Sequence, residues 1–210
     1  MKYVKYTYVD SITGIPVTDE PAANGPTQPD IEGLEFGFAL ESQYPTDMPI
    51  FYGTTPDEAN ADVPGVLAVI TGDEYNEALA VEMIARRAVA EGLALDQLSA
   101  HRYQIEISGV TSADGIQQST TRSERLLLAD KLAFMRSNPS VESTMWKASG
   151  VWNELTTAQL GELQTLVGTH VNKCYLAEHA VALQVSAAST VSEVVAINLT
   201  SAFDDAFAAI

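Results

Sequence analysis

The chain has 210 residues and a mass of 22.5 kDa, and 46% of it is apolar, enough to give one or two ordinary domains a hydrophobic core. Its 28 acidic residues against 11 Lys and Arg leave a net charge of −17 and a pI near 4.3, with no basic cluster to offset the repulsion of a polyanion, which excludes nucleic acid as a partner. A single cysteine rules out an intramolecular disulfide, and neither a signal-peptide core nor an apolar run of roughly 18 to 20 residues occurs, so the chain reads as soluble, unprocessed and without membrane insertion.

Eight of the nine prolines precede residue 70, and only Pro139 follows it. Proline fixes φ and donates nothing to a ladder, so short strands and turns are expected in the first third. KYVKYTYVD alternates as a strand does, with Val4, Tyr6 and Tyr8 on one face and Tyr3, Lys5, Thr7 and Val9 on the other. DSITG supplies a turn, which predicts a hairpin over residues 3 to 17. EPAANGPTQPD is rich in breakers and reads as a loop; GLEFGFAL and MPIFYG have the aromatic content of further strands.

From residue 71 a Thr is followed three residues later by Glu or Gln four times: Thr71 and Glu74, Thr121 and Glu124, Thr156 and Gln159, Thr190 and Glu193. Each pair is a capping box, in which the hydroxyl accepts from the third N–H while the acid or amide accepts from the cap's own N–H. Four helices are therefore expected. The first spans about 72 to 90, with Leu79, Met83 and Ile84 on one side, and a long one runs from Thr157 past Leu183. Between helices, RYQIEISGVTSADGIQQST and STMWKASGVWNEL read as hairpins, turning at Ala113-Asp114-Gly115 and at Ser149-Gly150. The expected fold class is α+β: a small β-rich docking module over 1–70, a connecting helix and linker over 71–98, and a mainly helical domain with two short β-hairpins over 99–210.

The densest group of chemically able side chains is THVNKCYLAEHA, with His170, Cys174, Glu178 and His179. His170, Cys174 and Glu178 stand one helical turn apart, but a catalytic zinc site needs three well-aimed donors and a structural one four, and His179 is rotated away. Val167, Val171, Cys174 and Val181 form a buried stripe flanked by Leu163, Leu166 and Tyr175, so Cys174 is expected to pack as a small hydrophobe with a raised pKa. No GxSxG, HExxH, CxxC or EF-hand pattern occurs, and neither a metal nor another cofactor is assigned. PDEANAD and FDD are read as solvated acidic surface, with a weak calcium site in PDEANAD as the minority reading. Trp146 and Trp152 fall on one face of their hairpin if its register is even, either as a small core under the long helix or as an exposed recognition pair.

The stretches RYQIEISGVT, TTRSER, MWKASGVWNELTTAQL, VGTHVNKCYLAEHAVALQVSAAST and VSEVVAIN, in that order over about 100 residues, resemble a domain of unknown function common in tailed-bacteriophage and prophage proteins, often at the C-terminal end of tail-fibre or tail-assembly proteins. KYVKYTYVDSITGIPV, EPAANGP, LESQYPTDMPIFYGT and VPGVLAVITGDEYNEAL resemble the opening module of small proteins encoded among siphophage tail-tip and tail-fibre genes. The resemblance implies a setting and no chemistry: a structural adaptor of a phage tail, at tail tip, baseplate or fibre, acting by protein–protein binding. Its partners would be other tail proteins, several copies would assemble together, and its place would be the virion tail and, during assembly, the host cytoplasm. The alternative is a tail-fibre assembly chaperone absent from the mature virion. An enzyme is not expected. The partner-binding candidates are Tyr3, Val4, Tyr6, Tyr8 and Val9, on a strand offering an edge to another sheet, together with Trp146 and Trp152.

Overall fold

A computed structural model describes residues 1–13, 16–17, 26–40 and 50–210. The chain divides into two compact units, Met1–Arg86 and Arg87–Ile210. The architecture is α+β, with strands first and then a mainly helical region carrying short hairpins.

In the N-terminal unit, β1 (Lys2–Tyr6), β4 (Glu35–Leu40), β5 (Ile50–Thr55) and β6 (Val66–Ile70) make one sheet in the order β4-β5-β1-β6, with every pairing antiparallel. β1 does not fold back as one arm of a hairpin over residues 3 to 17. It ends at Tyr6, and the chain then forms β2 (Val9–Asp10), which pairs with β3 (Pro26–Thr27) inside the segment expected to be a loop. Among the described residues, the Val9–Pro16 bridge and the Val17 N–H donating to the Tyr8 carbonyl at 2.8 Å are what remains of the expected hairpin; Gly14 and Ile15 lie outside them. Asp10 makes the turn, its Oδ1 accepting from the N–H groups of Ile12 and Thr13 and from the Thr13 hydroxyl.

The sheet is buried on both faces. Val4, Tyr6 and Phe51 form a cluster with Tyr8, Leu34, Ala39 and Ala61, while Phe38, Leu40, Ile50 and Tyr52 pack with Ile70, Tyr75, Ala78 and Leu79. The last three lie on the opening turns of α1 (Gly72–Glu106), which is entered through a formed capping box: Thr71 Oγ1 accepts from the Glu74 N–H, and the Glu74 carboxylate accepts from Thr71. Of the three side chains expected on one side of this helix, Leu79 packs under the sheet, whereas Met83 and Ile84 are exposed.

α1 is longer than the 72–90 expected. It continues through EGLALDQLSA and RYQIE, so the region of the expected linker is helix and the division between units falls inside α1 at Arg86/Arg87. Composition permits this, since Ala, Leu, Gln and Arg hold helical conformation well, and the burial of Ala94 and Leu98 against α3 (Thr157–Ala187) and its neighbours offsets the cost of about 1 kcal/mol at Gly92. The first C-terminal hairpin is correspondingly reduced to β7 (Val110–Thr111) and β8 (Gln117–Gln118).

The C-terminal unit is assembled along α3 (Thr157–Ala187), which starts at a complete Thr156–Gln159 capping box. Its first half covers α2 (Arg122–Ser137) and the hairpin of β9 (Ser143–Ala148) and β10 (Val151–Thr156), burying Leu128, Leu132, Met135, Trp146, Ala148, Leu155, Leu160, Leu163 and Val167 together. Its second half packs Cys174, Ala177 and Val181 on Leu98 of α1 and Phe203 of α5 (Leu199–Ala209), and Val185 on Ala94 and Val194 of α4 (Val191–Ala196). α4 starts at a complete Thr190–Glu193 box. α2 starts at Thr121 without one: its hydroxyl engages Ser119 and Ser123 instead. α5 is a fifth helix that the Thr-x-x-Glu signal misses, because its cap is Asn198, whose Oδ1 accepts from the Ser201 N–H.

Candidate functional site

Cys174 is fully buried on the apolar stripe of α3 with Val167 and Val181, as its spacing predicts, and Val171 is half-buried at its margin. Desolvation pushes its thiol pKa up, and the carboxylate of Glu106 pushes in the same direction. His170 lies 3.9 Å from the sulfur, but its Nε2 also stands 2.9 Å from the carbonyl oxygen of Ile105 and its ring packs edge-on to Phe207. Glu178 turns to Arg102, and His179 is exposed. Among the described residues no group of three or more His, Cys, Asp or Glu side chains has the geometry to hold a metal ion. In PDEANAD, Asp57 faces the N-terminal ammonium at 2.5 Å, which lowers its pKa.

Arg102 is the centre of a charged cluster in this unit. It pairs with Glu106 one turn on, its Nε stands 3.0 Å from a Glu178 oxygen as a charge contact out of line for a hydrogen bond, and its guanidinium covers the Tyr175 ring at 4.6 Å. Glu106 is only 3% exposed and takes a second guanidinium, Arg125 Nη2, at 2.9 Å. The cluster therefore joins the end of α1 to the starts of α2 and the middle of α3.

The tyrosine-rich strand is placed differently from an exposed docking edge. β1 is an inner strand paired on both sides, and the sheet edges are β4 and β6. Val4 and Tyr6 have no exposure, Val9 is buried, Tyr3 stacks against Tyr75 at 4.7 Å, and Tyr8 lies 4.3 Å from Phe51. This chain's own strands cover the surface that β1 cannot bury alone. Tyr6, desolvated by that burial and next to Tyr8, has its pKa pushed up to about 12.

The two tryptophans do not share a face. Ala148 pairs with Val151 across a two-residue turn, which sets Trp146 opposite Asn153 and Trp152 opposite Lys147. Trp146 points inward, its Nε1–H donating to Gln118 Oε1 at 2.8 Å, while Trp152 points outward with 62% exposure. The even-register expectation fails because a two-residue loop pairs positions of opposite parity.

Around Trp152 the structure forms an open groove of about 670 Å³ between the hairpin and α2, lined by Leu127, Lys131, Phe134, Met145, Lys147 and Trp152, with Glu124 and Asp130 at its rim. Leu127, Phe134 and Met145 are exposed by 54%, 52% and 53%. The Lys147 ammonium lies 5.7 Å from the centre of the Trp152 ring. Four large apolar side chains converging on one concavity make this the best candidate binding surface among the described residues. Sequence reasoning had one signal for it. Leu126, Leu127 and Leu128 are consecutive on a helix that turns about 100° per residue, so a single core face cannot take all three, and Phe134 follows Leu127 two turns later.

A family model described as a domain of unknown function (DUF4376) matches residues 89–204, more than half of the chain. No curated protein and no solved structure matches.

Proposed function

The chain belongs to the DUF4376 family, and from that premise we propose that it is a structural adaptor of a bacteriophage tail, acting by protein–protein binding and not by catalysis. Its partners are other proteins of the tail tip, baseplate or fibre, it assembles in several copies, and it works in the host cytoplasm before taking its place in the virion tail. The resemblance of both halves of the chain to tail-associated proteins supports the setting. The observation that carries the binding reading is the groove on the C-terminal unit, where Leu127, Phe134, Met145 and Trp152 are each more than half exposed around one concavity. Exposing so much apolar surface in one place costs free energy at roughly 25 cal/mol per Å², which a partner would recover by covering it.

The test is the composition of purified infectious particles. The adaptor is expected in them at fixed stoichiometry, with antibody against it labelling the tail. A protein found bound to fibre in lysates but missing from purified particles would instead be an assembly chaperone.

A further inference from the structure

We propose that the groove beside β9 receives an extended segment of the partner protein, which adds to the open edge of the β9–β10 hairpin as a third strand. The inference rests on the reading of this chain as a protein-binding adaptor and specifies how it binds. Ser149 and Gly150 both have positive φ, 44° and 88°, as a type I′ turn requires, so the flanking pair Ala148 and Val151 is hydrogen-bonded. Alternation along an antiparallel ladder then gives Trp146 and Thr144 their bonds to β10 and leaves the N–H and C=O groups of Ser143, Met145 and Lys147 directed away from it. No further strand pairs with β9, and no other backbone–backbone bond engages Met145 or Lys147 among the described residues.

Those same two residues line the groove, so the unpaired edge of β9 borders it, and on its other side lies the exposed row of Leu127 and Phe134 on α2. An apolar helix would fill the groove but leave the edge unpaired. An extended backbone satisfies the edge and puts every second side chain against Leu127, Phe134 and Met145. Charge agrees with this occupant. Lys131, Lys147, Glu124 and Asp130 form no ion pair among the described residues, so the rim of a chain carrying −17 is locally balanced; Lys147, over the Trp152 ring beside the strand edge, and Lys131 can take a carboxylate of the incoming segment without displacing an ion pair.

The experiment uses the full chain and two synthetic probes of about eight residues, a typical strand length. One alternates Val and Leu with Thr and carries a terminal Glu; the other has the same composition with N-methyl groups on the amides that would face β9. The unmodified probe is expected to bind, to change Trp152 fluorescence, and to slow amide hydrogen exchange at Met145 and Lys147 by about tenfold or more. The N-methylated probe should do none of these. Lys147→Pro, which removes an N–H pointing away from β10, should abolish binding while leaving inward-facing Trp146 in its native environment; should that variant unfold, the N-methylated probe makes the same discrimination from the ligand's side. Equal binding of both probes, no protection of those amides, or tighter binding of an Ala/Leu-rich helical peptide would each overturn strand addition. Those results leave the presence of the protein in particles unaffected, so failure of the binding mode is distinguishable from failure of the adaptor reading.

Discussion

At the scale of single residues, the side chains with the richest chemistry are spent on packing. Cys174 is enclosed by apolar neighbours, and replacing its thiol with a hydroxyl buries a polar group lacking a good partner. Cys174→Ser should therefore cost about 1 to 3 kcal/mol in chemical denaturation. Chelator should leave the melting temperature unchanged, since Glu178 is occupied by Arg102. Glu106 is buried between Arg102 and Arg125, and Glu106→Gln removes the charge that faces both guanidiniums while Arg102 keeps Glu178; a loss of about 1 to 3 kcal/mol is expected by urea titration. Tyr6 sets a pH limit. Its pKa is raised from 10.0 to about 12 in the fold, so the neutral phenol is favoured there, and the stability this gives is full below pH 10 and lost as pH rises toward 12. Tyr6→Phe gives up only a long contact from Gln28 at 3.5 Å and should flatten the alkaline fall in stability, measured by tyrosine absorbance and melting between pH 9 and about 12.

At the scale of elements, local signals worked where the chain alone supplies both partners of an interaction. Thr156 with Gln159 and Thr190 with Glu193 form complete capping boxes, and Ser149-Gly150 turns the hairpin at the expected place. Thr190→Ala should cost about 1 kcal/mol, read as earlier loss of α4 in hydrogen exchange. Ser149 holds a positive φ that a serine tolerates poorly and Asn adopts readily, so Ser149→Asn should raise stability by about 0.5 kcal/mol without altering the hairpin's amide shifts beyond the turn. The same local reasoning stopped α1 too soon. A Gly in an otherwise strong helical sequence resembles an end, but Leu98 and Ala94 bury themselves against α3 and its neighbours and carry the helix on to Glu106. Tertiary packing outweighs a propensity deficit of about 1 kcal/mol.

At the scale of the whole molecule, the two units have separate cores and separate reporters. Both tryptophans lie in the C-terminal unit. Deleting residues 1–17 removes an inner strand from the four-stranded sheet, so amide protection in β4, β5 and β6 should be lost while Trp146 fluorescence and most of the helical circular dichroism persist. Concerted loss of both signals would show that the units depend on each other. The sequence by itself determined the α+β class, the order of strands before helices, the hairpin turn, four helix starts and the burial of Cys174, because each depends on periodicity or on partners only a few residues apart. Tertiary structure alone decided that β1 is an inner strand between β5 and β6 and that Trp152 faces outward beside Leu127, Phe134 and Met145. The partners of β1 lie about 45 to 67 residues away, and α2 and β9 share one core with α3. Alternation along a strand says which side chains share a face; it carries no information about which distant strand or helix will cover that face, and that choice rests on contacts whose loop-closure cost is met only when the whole core forms.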